Sequence, residues 1–255
     1  MRLVLRRWLS PVVDVPRALN AVRSYPAFYR SWRSYRRMEG AEPLRLTDSF
    51  PCLLDRTATT PLDSHYFYQS LWATERILRE SPREHVDVGS ETIFVGILSR
   101  IVPVSFVDIR RLPIDIPRIR SLRGDLLSLP FPDASVASLS SLHVVEHVGL
   151  GRYGDRLAPD GSRRACAELA RILAPAGNLF VSLPVGRPRV CFNAHRIHSP
   201  AQVLAYFDSL ELVEFSLVDD SAKLVIDADI ESAADLTYGC GLFWFRRTDV
   251  HGSER

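Results

Sequence analysis

The stretch HVDVGSETIFVGILSRIVPVSFVDI, residues 85–109, decides the fold class. It predicts a short buried strand over His85–Val88, a turn at Gly89, a helix over Ile93–Ile101 and a second strand over Val104–Ile109. A strand that returns through a helix to another strand is the unit of a parallel sheet.

The same alternation continues on both sides of this unit. Further strands are predicted over Val136–Leu142, Leu179–Leu183, Leu212–Val218 and Gly241–Phe245, and further helices over Tyr66–Arg79, Arg163–Leu173 and, capped by Ser199, from Pro200 to about Asp208. Pro175–Gly177 is predicted to form a turn. The pattern indicates an α/β fold: a Rossmann-like, doubly wound and mostly parallel sheet, whose ligand lies beyond the carboxyl ends of the strands.

Composition excludes several protein classes. The 255 residues are 46% hydrophobic and 24% charged, the ordinary mix of a globular chain. No apolar run reaches the roughly 18 residues of a membrane span. The four cysteines lie far apart and form no C-x-x-C, so we expect a reduced, cytoplasmic protein.

A basic segment precedes the alternating region. Residues 1–40 contain nine arginines against two acidic residues, a balance of +7. We therefore predict a helical, basic N-terminal extension over residues 1–60 and a Rossmann domain over residues 61–250. Ala18–Arg37 has a helical pattern that Pro26 should split or kink. Two interpretations stay open: a solvated helix packed on the main domain, or an arm for peripheral contact with an anionic membrane or another acidic partner.

Three acidic residues fall at or near predicted strand ends. Asp87 precedes Gly89 by two residues, Asp108 lies near the end of the second strand, and Asp125 stands beside Leu126. A glycine after the first strand lets a ligand approach the backbone, and an acid after the second can accept the hydroxyls of a ribose. The ordered set predicts a site for a nucleoside-containing cofactor.

Four pieces of sequence resemble the class I methyltransferases that use S-adenosylmethionine. They are HVDVGS, SFVDIR, GDLLSLPFPDASVASLSSLHVVEHV and ELARILAPAGNLFVSLP, in the family's order, within residues 65–247. EHVGLGRYGD and FNAHRIHSP resemble a narrower branch, a domain of unknown function in bacteria and nematodes. The resemblance implies seven strands with the last antiparallel, and S-adenosylmethionine as cofactor. The predicted cofactor-binding residues are Asp87, Gly89, Ser90, Asp108, Asp125, Leu126 and His143.

Two departures from that family stand out. Two glycines of its glycine-rich loop align with Glu91 and Ile93, whose Cβ atoms could crowd the cofactor. An aspartate of its fourth strand aligns with Ala137. These departures motivate an alternative hypothesis, a catalytically degenerate binding or assembly module.

The resemblance implies methyl transfer to an oxygen or nitrogen of a small-molecule or glycan acceptor, with no nucleic acid as partner. A hydroxyl acceptor benefits from a base that titrates near neutral pH, and histidine suits that role. His147, after the fourth strand, is the first catalytic candidate, and His195, after the fifth strand, is the second.

Other chemistries have weaker support. His143, Glu146 and His147 match H-x-x-E-H, a zinc motif when helical, and His195-x-x-His198 could add a ligand. The preceding residues favour a strand, so we predict no metal. A dinucleotide site lacks G-x-G-x-x-G, and no G-x-S-x-G indicates a hydrolase. The glycine-rich segment from Gly149 to Asp155 is either a mobile loop or a closure over the substrate that binds its phosphate through Arg152.

Overall fold

The structure is a computed structural model that describes residues 8, 12 and 14–248. It divides into two units, Met1–Leu62 and Asp63–Arg255. The second unit contains all the strands of the described residues and the predicted site.

Eight strands form the main sheet in the order β3-β2-β1-β4-β5-β10-β8-β9. Their bounds are β1 His85–Val88, β2 Val104–Asp108, β3 Ile119–Arg123, β4 Val136–Leu142, β5 Leu173–Val185, β8 Glu211–Val218, β9 Leu224–Val225 and β10 Gly239–Arg246. Strands β6 (Arg189–Cys191) and β7 (His195–Ile197) pair in a separate antiparallel hairpin.

The first five strands pair in parallel, and β10 runs antiparallel to both of its neighbours. The antiparallel last strand is thus confirmed. The expected count of seven strands is corrected by one, because the two-residue β9 adds an edge next to β8.

Residues 63–248 form four α-helices, and two of them have a side-chain cap at the amino end. They are α2 Ser64–Glu80, α3 Thr92–Leu98, α4 Gly161–Ile172 and α5 Pro200–Tyr206. Asp63 caps α2 by accepting from the Tyr66 N–H, and Ser199 and Gln202 form the reciprocal capping box of α5. The predicted cap at Ser199 is confirmed, and the helix ends two residues earlier than expected.

Strand β5 begins earlier than predicted. It starts at Leu173 and passes through the predicted turn, where Ala176 has a φ of 55°. The pairing of β4 with β5 shifts register between Val136 and Ser138. The turn residues therefore form an irregularity within the ladder, as a bulge does.

Apolar layers cover both faces of the sheet. Leu169 and Ile172 of α4 and Phe207, just after α5, pack with one face, and Trp72 and Ile77 of α2 belong to the layer on the other. The second layer also contains a buried ion pair, with Arg76 Nη2 2.9 Å from Glu214 Oε1.

The first unit contains helix α1, Val15–Tyr35, which begins with Asp14 accepting from the Arg17 N–H. Pro26 lies inside this helix. Of the two effects expected of the proline, a split or a kink, the split into two helices does not occur. Among residues 14–248, no helix combines the length and the apolarity that crossing a bilayer requires.

Candidate active site

A cleft of about 670 Å³ lies at the carboxyl ends of β1, β2 and β3. Parallel strands bring their carboxyl ends to one edge, so residues distant in sequence meet there. Of the predicted cofactor-binding residues, Gly89, Asp108, Asp125, Leu126 and His143 line this cleft.

Asp108 is the last residue of β2 and is half-buried. Its Oδ1 accepts from the backbone N–H of Arg110 at 2.7 Å, a short turn that holds the carboxylate at the strand end. Asp125 follows β3, and its Oδ1 accepts from the Leu127 N–H at 2.9 Å. The neighbouring Leu126 is buried and supplies an apolar wall.

Gly89 has a left-handed backbone, with φ at +73°. A Cβ at this position would lie 2.9 Å from Cγ1 of Val144. The missing side chain therefore keeps the turn after β1 close to the segment after β4, and both border the cleft.

Asp87 and Ser90 do not line the cleft but belong to a buried polar network. Asp87 accepts from the Ser90 N–H (3.1 Å), from the Ser90 hydroxyl (2.6 Å) and from the Ser140 hydroxyl. The Ser90 hydroxyl in turn accepts from the Leu142 N–H at 2.9 Å. Burial raises the pKa of Asp87 to about 6. This network holds the turn after β1 against β4. Asp87 and Ser90 therefore support the cleft from behind its lining residues.

The two expected sources of crowding lie outside the cleft. Glu91 and Ile93 are exposed, and neither belongs to the lining. Helix α3 begins at Thr92, so Glu91 immediately precedes the helix and Ile93 lies in its first turn. Ala137 is an exposed residue near the amino end of β4, away from the carboxyl edge.

A second pocket of about 900 Å³ adjoins the cleft, and His143 and His147 line both. Its other walls come from the first turn of α2, the loop after Gly149, the residues around β7 and the chain before β10. The lining beyond the shared histidines is Asp63, His65, Tyr66, Glu146, Arg152, Asn193, Ala194, His195 and Tyr238.

His147 ends a single 3₁₀ turn, Val145–His147. Its Nδ1 lies 2.6 Å from the carbonyl of Ala194, so we assign Nδ1 as the donor and Nε2 as the free lone pair. Nε2 is 3.6 Å from Oε1 of Glu146. Burial lowers the pKa of His147 to about 4, which leaves the ring neutral at pH 7.

His143 follows β4 directly and has a φ of +56°. Its Nδ1 is 3.3 Å from the Ser182 hydroxyl, while its buried Nε2 has no hydrogen-bond partner among the described residues. Burial lowers the pKa of His143 well below its ordinary value.

His195, the first residue of β7, lines the second pocket but not the cleft. Its half-buried ring lies against Tyr238, with 5.2 Å between centroids. Burial, followed by the nearby Arg152, lowers the pKa of His195. The two candidate bases therefore share one pocket, with 6.5 Å between their ring centroids.

Glu146 is fully buried, and neither of its carboxylate oxygens has a hydrogen-bond partner among the described residues. Burial raises the pKa of this carboxyl to about 8. The H-x-x-E-H residues lie at a strand end and in a 3₁₀ turn rather than on an α-helix, as predicted. His198 does not line the second pocket, so it is not gathered with His195.

The loop from Gly149 to Asp155 is organised by its last residue. The Asp155 carboxylate accepts from the N–H groups of Gly149 (2.7 Å), Gly151 (3.3 Å) and Tyr153 (3.2 Å). Tyr153 and Asp155 line the cleft, and Arg152 lines the second pocket and donates to the Ala194 carbonyl at 3.1 Å. The loop thus borders both cavities.

The fold is similar to that of known structures. N-methyltransferase NodS from Bradyrhizobium japonicum, in complex with S-adenosyl-L-homocysteine, superposes with a TM-score of 0.50 over 85% of this chain and 97% of its own, at 15% identity. The YcgJ protein from Bacillus subtilis superposes with a TM-score of 0.51 over 72% of this chain and 99% of its own, at 15% identity. This chain has the class I methyltransferase fold.

The methyltransferase fold also hosts other chemistry. The [4+2]-cyclase SpnF superposes with a TM-score of 0.53 over 71% of this chain and 80% of its own, at 15% identity. Identities this low establish the fold, and the reaction has to be argued from the site.

Sequence comparison adds one family model. Residues 134–235 match the model described as "Caenorhabditis protein of unknown function, DUF268". No curated protein matches the sequence. Within the methyltransferase fold, the matched range covers most of the second pocket's lining, whereas Gly89, Asp108 and Asp125 lie before it.

Sequence reasoning missed several residues of the second pocket. His65 and Tyr66 come from the first turn of α2, and Tyr238 immediately precedes β10. The methyltransferase fold brings them to His143, with His65 and Tyr66 ring centroids 5.5 and 5.2 Å from the His143 ring. No local sequence motif identifies His65, Tyr66 or Tyr238, because only the folded chain brings them close to one another.

Proposed function

We propose that the chain is an S-adenosylmethionine-dependent methyltransferase that acts on an oxygen or nitrogen of a small-molecule or glycan acceptor. One observation supports this most strongly: a strand-end cleft suited to a nucleoside joins a histidine-lined pocket, and His143 and His147 border both. Methyl transfer needs a cofactor and an acceptor side by side in one enclosed space.

The lining of the cleft fits the proposed cofactor. Asp108 would accept the ribose hydroxyls through the oxygen not used by the Arg110 N–H. Leu126 would pack on the adenine, and Asp125 lies beside it. Gly89 leaves room for close approach at the turn after β1.

The bound cofactor would supply an electrophilic methyl group on a sulfonium. The protein's own task is then to align the acceptor and to exclude bulk water. His147 is our proposed base, because it lines both cavities and its Nε2 is free to accept, while the Ala194 carbonyl fixes the ring. With a pKa of about 4 it takes the acceptor's proton as the new bond forms rather than beforehand.

We assign the second pocket to the acceptor and call it the acceptor pocket. His195, which lines it, is the second candidate base. Asp87 and Ser90 are assigned a positioning role, since they hold the turn that carries Gly89. The polar wall of histidine and tyrosine suits an acceptor rich in hydroxyl groups, such as a glycan.

The alternative, a catalytically degenerate module, rests on Glu91 and Ile93 in place of glycines and on Ala137 in place of an aspartate. All three residues are exposed and lie outside the cleft lining, which favours the methyltransferase proposal.

Crystals of the full chain grown with S-adenosylhomocysteine test the proposal. We expect electron density with the ribose at Asp108, the adenine on Leu126 and the sulfur towards His147. A cleft without ligand density at saturating concentration would contradict the proposal and restore the binding-module alternative.

A further inference from the structure

Three metal-ligating side chains meet below the acceptor pocket. His65, His143 and Cys240 each offer a ligand atom, and these atoms all lie within 4.8 Å of one another. They come from the start of α2, the residue after β4 and the second residue of β10. His65 and His143 also line the pocket, whereas Cys240 is fully buried as a free thiol.

A second observation at the same place points to a cation. The Nε2 of His143 and both oxygens of Glu146 are buried without hydrogen-bond partners in the described part of the chain. Glu146 is the one acidic residue among residues 14–248 in that condition. A buried carboxylate with no partner is costly, and a nearby cation removes that cost.

Existing hydrogen bonds would not oppose a metal. The Cys240 sulfur has only long contacts, 3.9 Å to His143 Nδ1 and 3.9 Å to the Gly241 carbonyl. His65 is held by ring stacking on Tyr238, with 5.1 Å between centroids. Ligand atoms around tetrahedral zinc are roughly 3.3–3.8 Å apart, given bonds of about 2.0–2.3 Å. The three side chains would therefore close by about 1 Å, within the reach of rotamer adjustment.

We propose that His65, His143 and Cys240 bind one Zn²⁺ ion at the base of the acceptor pocket, with the fourth position open to that pocket. Two imidazoles and a thiolate are a ligand set that zinc prefers, and three protein ligands with one open position are the arrangement of catalytic zinc. Glu146, whose buried carboxyl has no hydrogen-bond partner among the described residues, lines the same pocket.

The open position also suggests the acceptor class, an extension that rests on the proposed methyl transfer. A hydroxyl oxygen of the acceptor would bind there. As that oxygen formed its new bond to the methyl carbon, its proton would pass to Nε2 of His147 and the carbon–sulfur bond would break, leaving S-adenosylhomocysteine. Zinc binding lowers the pKa of a bound hydroxyl, so this site favours oxygen over nitrogen acceptors.

Reconstitution of the full chain with Zn²⁺ or Co²⁺ tests the site. After removal of bound metal, we expect about one equivalent of zinc to be retained, and Co²⁺ to give the charge-transfer absorption of a cobalt–thiolate bond. Cys240→Ala should abolish that absorption, whereas Cys166→Ala, at a buried free cysteine outside the cluster, should keep it. Thermal melting of the metal-free proteins checks that both variants fold.

A histidine pair covers the case in which Cys240→Ala fails to fold. His65→Gln should weaken Co²⁺ binding at least about ten-fold, while His198→Gln, a buried histidine outside the pocket, should not. Retention of less than a tenth of an equivalent of zinc by the wild type, or equal Co²⁺ binding by His65→Gln and His198→Gln, would overturn the site. Titration of the same samples with S-adenosylhomocysteine keeps the two proposals separate, since loss of cofactor binding alone leaves the metal site standing.

Discussion

Replacing Gly89 by alanine tests how tightly the cleft is built. Gly89 has a φ of +73°, and an added Cβ would lie 2.9 Å from Cγ1 of Val144. The left-handed backbone costs a residue with a Cβ about 1–2 kcal/mol. Forcing a methyl group against a neighbouring side chain costs a further ~1–3 kcal/mol. We therefore expect Gly89→Ala to lower the free energy of unfolding by about 2–5 kcal/mol.

Gly154→Ala is the matched control for this substitution. Gly154 has a similar φ of +83°, but a Cβ there would meet nothing within 4 Å. Gly154→Ala should therefore lower the free energy of unfolding only by the cost of the left-handed backbone, about 1–2 kcal/mol. Urea unfolding at equal slopes gives both losses as shifts of the midpoint.

A second substitution separates the steric part of the stability loss in Gly89→Ala from the part due to the left-handed backbone. Val144→Ala removes the Cγ atoms that the new Cβ would strike, so the pair Gly89→Ala and Val144→Ala should be less destabilising together than the sum of the two. Equal losses in Gly89→Ala and Gly154→Ala, with strict additivity in the pair, would refute the assigned contact.

Three further predictions concern stability and partners. Burial lowers the pKa of His198 to about 4, so the folded state binds fewer protons than the unfolded state below pH 6.5 and stability falls as pH falls. Between pH 7 and 5, the free energy of unfolding measured in urea should fall by about 2 kcal/mol more for wild type than for His198→Leu. An equal fall in the two proteins would contradict this. Arg76→Met should lower the free energy of unfolding by about 3–5 kcal/mol, because it leaves the buried Glu214 without its ion-pair partner. Adding Glu214→Gln to the same chain should restore part of that stability, and denaturant midpoints measure both changes. If α1 contacts an anionic membrane, wild type should co-sediment with phosphatidylserine vesicles, and four Arg→Gln changes in that helix should abolish this; no co-sedimentation of wild type favours the solvated helix. The four are Arg17, Arg23, Arg30 and Arg33.

The interior strands of the sheet could be predicted from the sequence, but the edge strands and the shortest strands could not. Every residue of β1 is buried, and its predicted bounds are those observed. Strand β3 lies at the edge of the sheet and its sequence, IRSLR, has no fully buried residue. Its charged and polar residues give no apolar pattern from which a strand could be predicted, because an edge strand needs little apolar surface. Strands β6 and β7 have three residues each, too few for a period to show.

The site divides in the same way. Asp108 and Leu126 could be placed at the cleft because each follows from the position of a strand end. The second pocket could not be predicted, since His65, His143 and Tyr238 meet only through the packing of α2 on the sheet and the pairing of β10 within it. Burial in the folded chain, rather than any motif, leaves Glu146 without partners.

Calorimetric titration with S-adenosylmethionine and S-adenosylhomocysteine tests the central claim most directly. We predict micromolar binding by the wild type, about −8 kcal/mol. Asp108→Asn keeps the oxygen that accepts from the Arg110 N–H but loses the charge, and it should weaken binding about ten-fold or more. Asp208→Ala, at an exposed aspartate away from the cleft, should leave affinity unchanged. No heat at two temperatures, or equal affinity in both variants, would contradict the claim that this cleft binds the cofactor.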